Sequence, residues 1–228
     1  MGLAHGVTTK WQATKGIVQD GLVLNVDASV KDSYIGSGTS WKDLSVGNDA
    51  TLANGPVFDK SLGGRITLDG TDDRIDIPSI SFAASGFTYS FVANLSSSTG
   101  QNYPRIIAGD KEIEWIRHSN SHALRWRWQG SSPANSDSSA NYFIQDEIHI
   151  YTITYASPDV KLYRDGTLFQ TLSSTSSSSC SFNTMLNRSN SARPVAGDAY
   201  QCLLYSRALT AAEVSRNFNV MKHRFGVS

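Results

Sequence analysis

The sequence predicts an all-β sandwich, two antiparallel sheets packed face to face in jelly-roll fashion, closed by one short C-terminal helix. Three observations carry that prediction. Residues 147–172 read as three consecutive antiparallel strands. Short runs of alternating apolar and polar residues, separated by turn formers, recur along most of the 228-residue chain. Helical spacing replaces the alternation only after Thr210.

The central stretch is EIHIYTITYASPDVKLYRDGTLFQTL, from Glu147 to Leu172. Ile148, Ile150, Thr152 and Thr154 share one face of an extended strand. His149, Tyr151, Ile153 and Tyr155 share the other. Ser157-Pro158-Asp159 ends that strand, because proline has no N–H to give to a ladder. A second strand runs from Val160 to Arg164. Asp165-Gly166 turns it, since a type I′ turn needs positive φ at both central residues. Thr167 to Leu172 then returns. A meander of this kind cannot bury its apolar face alone and requires a second sheet.

The remaining elements follow in order. Residues 1–20 read as an extended arm and 21–228 as the domain, with Trp11, Ile17 and Val18 as the arm's docking side chains. Gly21–Ser29 predicts the first strand, with Leu22, Leu24 and Val26 on one apolar face. Ser33–Gly55 is turn-rich and reads as a long loop anchored by Trp41 and Leu44. Gly64–Pro78 gives two short strands around Thr71-Asp72-Asp73, and Gly86–Ser96 gives another. A short strand at Arg105–Gly109 precedes a hairpin of Glu112–Arg117 with Ala123–Gln129. Ser131–Asn141 reads as a polar loop, Ser173–Ser179 as a serine tract, Asn183–Asp198 as irregular, and Ala199–Tyr205 as the last strand. Thr210-Ala-Ala-Glu213 is a capping box, followed by Val214, Phe218 and Met221 at helical spacing. It predicts a helix over Ala211–Lys222.

Composition excludes several function classes. Twenty basic and twenty acidic residues give a formal net charge of zero, which removes the electrostatic argument for nucleic-acid binding. No apolar run is long enough to span a membrane. The first residues lack the pattern of a secretory signal, and Gly6 stands where myristoylation calls for Ser or Thr. Synthesis in a cytoplasm, or a mature form whose signal is absent, is the expectation. Two cysteines, Cys180 and Cys202, do not make a disulfide framework. Cys202, within CLLY, reads as a small buried hydrophobe.

Several segments together resemble a known family. GLVLNVDAS, SYIGSGTSWKDLS, ATLANGPVFD and GGRITLDGTDDRIDIP are similar to the opening of laminin-G-like jelly rolls of the concanavalin A-like lectin/glucanase class. IYTITY with VKLYRDGTLF resembles its middle, and GDAYQCLLYSRALTAAEVSRNFNVMKHRFGV its end. The Arg-Ala-Leu-Thr turn, the capped helix, the final Arg-Phe-Gly and MGLAHG near the start resemble the version found in tailed-phage virion proteins. The resemblance covers nearly all of Gly21–Val227. It implies a concanavalin A-like fold and a non-enzymatic structural protein on the phage surface, as a head decoration or in the tail. Its partners would be other virion proteins, reached through the arm. The competing expectation is an adhesin that binds host glycan through rim loops.

Several residues are candidates for chemistry. Glu112 and Glu114 stand two apart on one strand, but the Glu-x-Asp-x-Glu pattern expected of a glucanase is absent. They read as two exposed glutamates on an outer face, so no catalytic residue is expected. Asp69, Asp72 and Asp73, with Asp27 as partner, offer the hard oxygen ligands that calcium requires. An Asp-rich turn explains them more simply, so the reading is no cofactor, with calcium as the alternative. His118 and His122 flank a Ser-Asn-Ser turn and read as a solvent-exposed loop. In Leu124–Trp128, the alternation places Leu124, Trp126 and Trp128 in the core and Arg125 and Arg127 outside. A glycan would be met by loop residues: Tyr34, Trp41, Tyr103, Arg188 and Arg193.

Overall fold

The computed structural model describes residues 16–127, 135–173 and 178–227. Among these residues lie sixteen strands and one α-helix. The strands are β1 (Leu22–Asp27), β2 (Ser40–Trp41), β3 (Ala50–Ala53), β4 (Val57–Asp59), β5 (Arg65–Asp69) and β6 (Arg74–Phe82). They continue with β7 (Phe87–Leu95), β8 (Arg105–Gly109), β9 (Glu112–Ile116), β10 (Ala123–Arg127) and β11 (Asn135–Asp137). Then come β12 (Ile148–Ala156), β13 (Asp159–Arg164), β14 (Thr167–Ser173), β15 (Cys180–Met185), β16 (Ala196–Tyr205) and the helix α1 (Ala211–Phe225).

The strands form two antiparallel sheets. The first runs β14-β13-β12-β7-β16. Beyond β16 its far edge is shared: β5 pairs with Ala196–Ala199 and carries β4, while β1 pairs with Gln201–Tyr205. The second runs β11-β10-β9-β8-β15-β6-β3-β2. The predicted meander is present as β12-β13-β14, with positive φ at Asp165 (51°) and Gly166 (72°). Glycine is required at that turn for a second reason. A Cβ on Gly166 would stand 2.7 Å from the Phe218 ring of α1.

Period-two patterning sorts the side chains. Tyr89, Phe91, Tyr151, Ile153 and Tyr155 point between the sheets, where they meet Ile107, Ile113, Trp115, Leu124, Trp126 and Phe182. The outward residues of the first sheet are not left to solvent. Val92, Ile150, Tyr163, Tyr200, Leu203 and Tyr205 lie beneath Val214, Phe218, Met221 and Phe225 of α1. Burying four such side chains contributes about 1.5–3 kcal/mol each, which fixes a helix of this length onto the sheet. The predicted capping box starts it: Thr210 Oγ1 accepts from the Glu213 N–H at 3.3 Å, and the Glu213 carboxylate accepts from the Thr210 N–H at 2.8 Å. Gly226 ends it in the left-handed conformation (φ 66°), a turn beyond the expected stop.

Several expectations are corrected here. The loop Ser33–Gly55 contains β2 and β3, and the stretch Asn183–Asp198 holds the end of β15 and the start of β16. A bulge in β1 between Leu22 and Leu24 breaks the single apolar face. Leu24 and Val26 enter the inter-sheet core, and Leu22 turns to the helix side. Ile17 and Val18, expected to dock on a neighbouring protein, are 1% and 5% exposed and pack beneath α1. Trp11 lies outside the described residues, as does Trp128. Cys180 and Cys202 are free, buried thiols, and burial pushes each up to about 12.

Asn217 explains why Val18 stays. It is 2% exposed. Its Oδ1 accepts from the Val18 N–H at 2.8 Å, its Nδ2 donates to the Tyr205 hydroxyl at 2.9 Å, and that hydroxyl donates to the Val18 carbonyl at 3.2 Å. Asn217→Ala strands the buried Val18 N–H and takes from the Tyr205 hydroxyl the bond it accepts. The expected loss is about 1–3 kcal/mol in urea denaturation, with faster amide exchange at Val18. Asn219→Ala, on the exposed side of the same helix, is expected to stay within about 0.5 kcal/mol of the parent.

Candidate functional site

The outward face of the second sheet carries charge where the first sheet carries the helix. Strand alternation sends Ile113, Trp115, Leu124 and Trp126 inward, so Glu112, Glu114, Arg125 and Arg127 share the opposite face. Cross-strand register sets them in rows. Asp137, Arg125, Glu114 and Arg105 are successive partners across β11, β10, β9 and β8. One row away, Arg127, Glu112, Ala108 and Thr184 are successive partners across β10, β9, β8 and β15.

Arg105 joins the two glutamates. Its Nε donates to Glu112 at 2.9 Å, its Nη2 lies 2.9 Å from Glu114, and its Nη1 donates to the Tyr103 carbonyl at 2.6 Å. All three charged residues are 1% exposed. Burial pulls the Arg105 guanidinium below its ordinary pKa, against the opposing pull of Glu114 and Glu112. Two further guanidiniums close over the pair. Arg127 Nη1 reaches Glu114 at 3.0 Å, and Arg188 Nε reaches Glu112 at 2.5 Å. The glutamates thus lie on the outer face as expected but are not exposed. Arg105 binds them from the neighbouring strand, and the part-exposed Arg127 and Arg188 side chains cover them.

Arg188 belongs to the loop 187–193, and buried Asn187 holds that loop. Its Oδ1 accepts from the Arg188 and Arg193 N–H groups at 2.7 and 3.0 Å, and its Nδ2 donates to the Asp73 carbonyl at 2.9 Å. Ser191 Oγ accepts from Asn54 and Arg74 at 3.0 and 2.8 Å. Between this loop and the sheet is a cleft of about 200 Å³ lined by Ala108, Gly109, Glu112, Asn183, Arg188, Ser189 and Asn190. A bulge in β15 at Asn183 turns that side chain outward. Gly109 lets β8 and β15 approach, since a Cβ there would collide with the Ser181 carbonyl.

The other sequence candidates are distributed as follows. Tyr34 and Trp41 are 4% and 0% exposed and belong to the core, so neither offers a ring to solvent. Trp41 faces inward from an edge strand, and Tyr34 packs on Phe58 at 5.2 Å with its hydroxyl on the Gly38 carbonyl. Tyr103 is half-buried at the rim, its ring under the Arg125 guanidinium at 5.2 Å. Arg193 is half-buried in the same loop as Arg188. Asp69, Asp72 and Asp73 do meet, with carboxylate oxygens within 4.8 Å of one another. Asp27 does not join them; its Oδ1 accepts from Arg224 at 2.6 Å. In the trio, Asp73 accepts from the Asp69 N–H and Asp69 from the Thr71 N–H, which are bonds of the turn itself. Burial raises the Asp73 pKa, and the neighbouring Asp69 and Asp72 charges add to it. His118 is exposed and His122 partly so.

A larger cleft of about 400 Å³ lies on the first sheet, lined in part by Arg65, Thr67, Asn94, Asp146 and Asp198. Its charged groups are largely matched. Asp198 holds Arg65 and Thr67 at 3.0 and 2.7 Å, and Asp146 accepts from the Ser97 N–H. The smaller cleft, with charges fixed in its floor, is the better-built recognition site. Sequence reasoning singled out Arg188 and its loop, which holds Asn190, and missed Asn183 and the paired state of Glu112. The alternation of Arg125 and Arg127 opposite Glu114 and Glu112 was the available signal.

Two antiparallel sheets in jelly-roll order, a polar outer sheet face and a loop-walled cleft define a lectin-type sandwich. The chain belongs to the concanavalin A-like lectin/glucanases superfamily, whose laminin-G family model matches residues 69–215. No curated protein matches by sequence. Among solved structures, the chain is similar to Trypanosoma rangeli sialidase in complex with sialic acid: TM-score 0.61 and 16% identity, over 87% of this chain and 32% of the sialidase. It is also similar to the binding domain of Paraclostridial Mosquitocidal Protein 1: TM-score 0.64 and 20% identity, over 88% of this chain and 52% of that one. The chain therefore spans about a third of the sialidase and about half of that binding domain.

Proposed function

We propose that this chain is a non-enzymatic carbohydrate-binding domain that takes a saccharide in the cleft between β9 and the loop 187–193. The observation that carries the reading is the fixed pair at the cleft floor, Arg188 on Glu112, with Glu112 also held by buried Arg105, which ties it to Glu114. Such a site is ordered before the ligand arrives, so little conformational entropy is lost on binding. Asn183, Ser189 and Asn190 supply amide and hydroxyl groups that match sugar hydroxyls. Hydrolysis finds less support. A retaining pair needs two carboxyls free to act on a sugar from an open site. Here Glu112 is engaged by Arg105 and Arg188, and Glu114 by Arg105 and Arg127.

The setting we propose is the surface of a tailed-phage particle, on the head or the tail. The sequence resemblance of the chain's start and its capped C-terminal helix supports this. Ile17 and Val18 are occupied within the chain, so docking to a neighbouring virion protein would fall to residues before Gly16, Trp11 among them.

The test is a glycan array followed by calorimetry. The protein is expected to retain a defined set of saccharides. The double variant Asn183→Ala, Asn190→Ala is expected to lose roughly tenfold or more in affinity while unfolding at the same temperature. No binding at all, or binding that ignores the double variant, contradicts the assignment. Quantitative mass spectrometry of purified particles tests the setting, and absence of the chain from particles refutes it.

A further inference from the structure

We infer that the saccharide taken by this cleft carries a carboxylate, the inference resting on the carbohydrate-binding reading above. The charge count in the cleft floor leads there. Three guanidiniums, Arg105, Arg127 and Arg188, interlock with two carboxylates, Glu112 and Glu114. One positive charge is left over inside the cluster.

The direction in which the groups face matters more than the count. The glutamate side chains are 1% and 2% exposed, whereas those of Arg188 and Arg127 are 33% and 40% exposed. Both negative ends are buried, and two of the three positive ends reach solvent. A ligand arriving from solvent meets guanidinium. Of the charges around the cluster, Arg74 is matched by Asp76 at 2.9 Å and Arg125 by Asp137 at 2.8 Å, while Asp110 is bonded to Ser181.

Arginine suits a carboxylate in shape as well as sign. Its planar fork of donors fits the two carboxylate oxygens side by side. Arg188 uses Nε for Glu112, which leaves the terminal nitrogens as the fork. Asn187 and Ser191 hold the loop, so the fork has a fixed place beside Asn190 and Ser189. A neutral sugar would cover the arginines without offering them a charge. An acidic one replaces lost water with a charge-assisted bond in a partly desolvated site.

The experiment is calorimetry of the full chain against matched pairs: trigalacturonate with galactotriose, and 3′-sialyllactose with lactose. At least one acidic member is expected to bind roughly tenfold or more tightly than its neutral partner. That preference should shrink as salt is raised. It should vanish in Arg188→Gln, whose thermal midpoint should match the parent because the side chain is partly exposed and Glu112 keeps Arg105. Arg188→Lys, which keeps the charge without the fork, should retain only part of it. Equal affinity for acidic and neutral members overturns the inference and leaves the carbohydrate reading standing. A preference that survives in Arg188→Gln also overturns it. No binding by any member of either kind removes both.

Discussion

Replacing Arg105 with alanine is expected to cost about 3–5 kcal/mol of folding stability. The reason is what the substitution leaves behind. Glu112 and Glu114 remain 1% exposed on adjacent outward positions of β9, and the guanidinium that joined them is gone. Arg188 still reaches Glu112 and Arg127 still reaches both glutamates, but from the solvent side. Two adjacent buried carboxylates stripped of their one buried partner are far more costly than a missing ion pair. The triple variant Arg105→Met, Glu112→Gln, Glu114→Gln removes all three charges at once and should recover most of the loss. Urea denaturation of the single and triple variants measures both. Equal destabilisation in the two would show that packing, not charge, governs this part of the sheet. Because the groups are buried, added salt should change the Arg105→Ala penalty little.

Phe87→Ala is the second large effect, again about 3–5 kcal/mol. Phe87 is 0% exposed at the start of β7. Its ring contacts those of Phe82, Trp126, Tyr155 and Phe182 at centroid distances of 5.2, 5.8, 5.9 and 5.1 Å. These rings come from both sheets, so one truncation opens the layer that joins them. At roughly 2–4 °C per kcal/mol for a domain of this size, the melting temperature should fall by roughly 10 °C. Phe87→Leu retains much of the volume and should lose clearly less. Cleft affinity, measured below the new midpoint, should stay unchanged, since Phe87 faces away from β9's charged side.

The fold was legible where local chemistry decides it. Asp165-Gly166 selects a hairpin whatever surrounds it, and Thr210 with Glu213 starts a helix by bonds three residues apart. Period two placed Trp126 inside and Arg127 outside without any knowledge of the partner sheet. Where pattern was interrupted, the reading failed. The bulge at Asn183 spoils the alternation of β15, so Phe182 and Met185 did not announce a strand. β2 and β4 are two and three residues long, too short to hold a pattern.

The site was harder to see, because it depends on contacts between distant parts of the chain. An aromatic residue in a turn-rich stretch can be a rim platform or a core anchor. Tyr34 and Trp41 are anchors, which only the packing of β2 and Phe58 decides. Glu112 and Glu114 look like ordinary surface residues until Arg105 is placed on the next strand and Arg188 on a loop from far along the sequence. Arg188 and Arg193 were picked out because they sit in a polar loop. Their support, Asn187, has no sequence mark that separates it from any other loop asparagine.

A saccharide is expected to sit at the Glu112–Arg188 cleft. The most direct measurement is backbone amide shift mapping by NMR during titration with the tightest saccharide from the array. The expected result is a contiguous set of moving signals at Ala108, Gly109, Asn183, Arg188, Ser189 and Asn190. Signals from Thr67, Asn94 and Asp198, in the larger cleft of the other sheet, should stay still. Movement there, with the loop 187–190 unchanged, would contradict the claim and transfer the site to the first sheet.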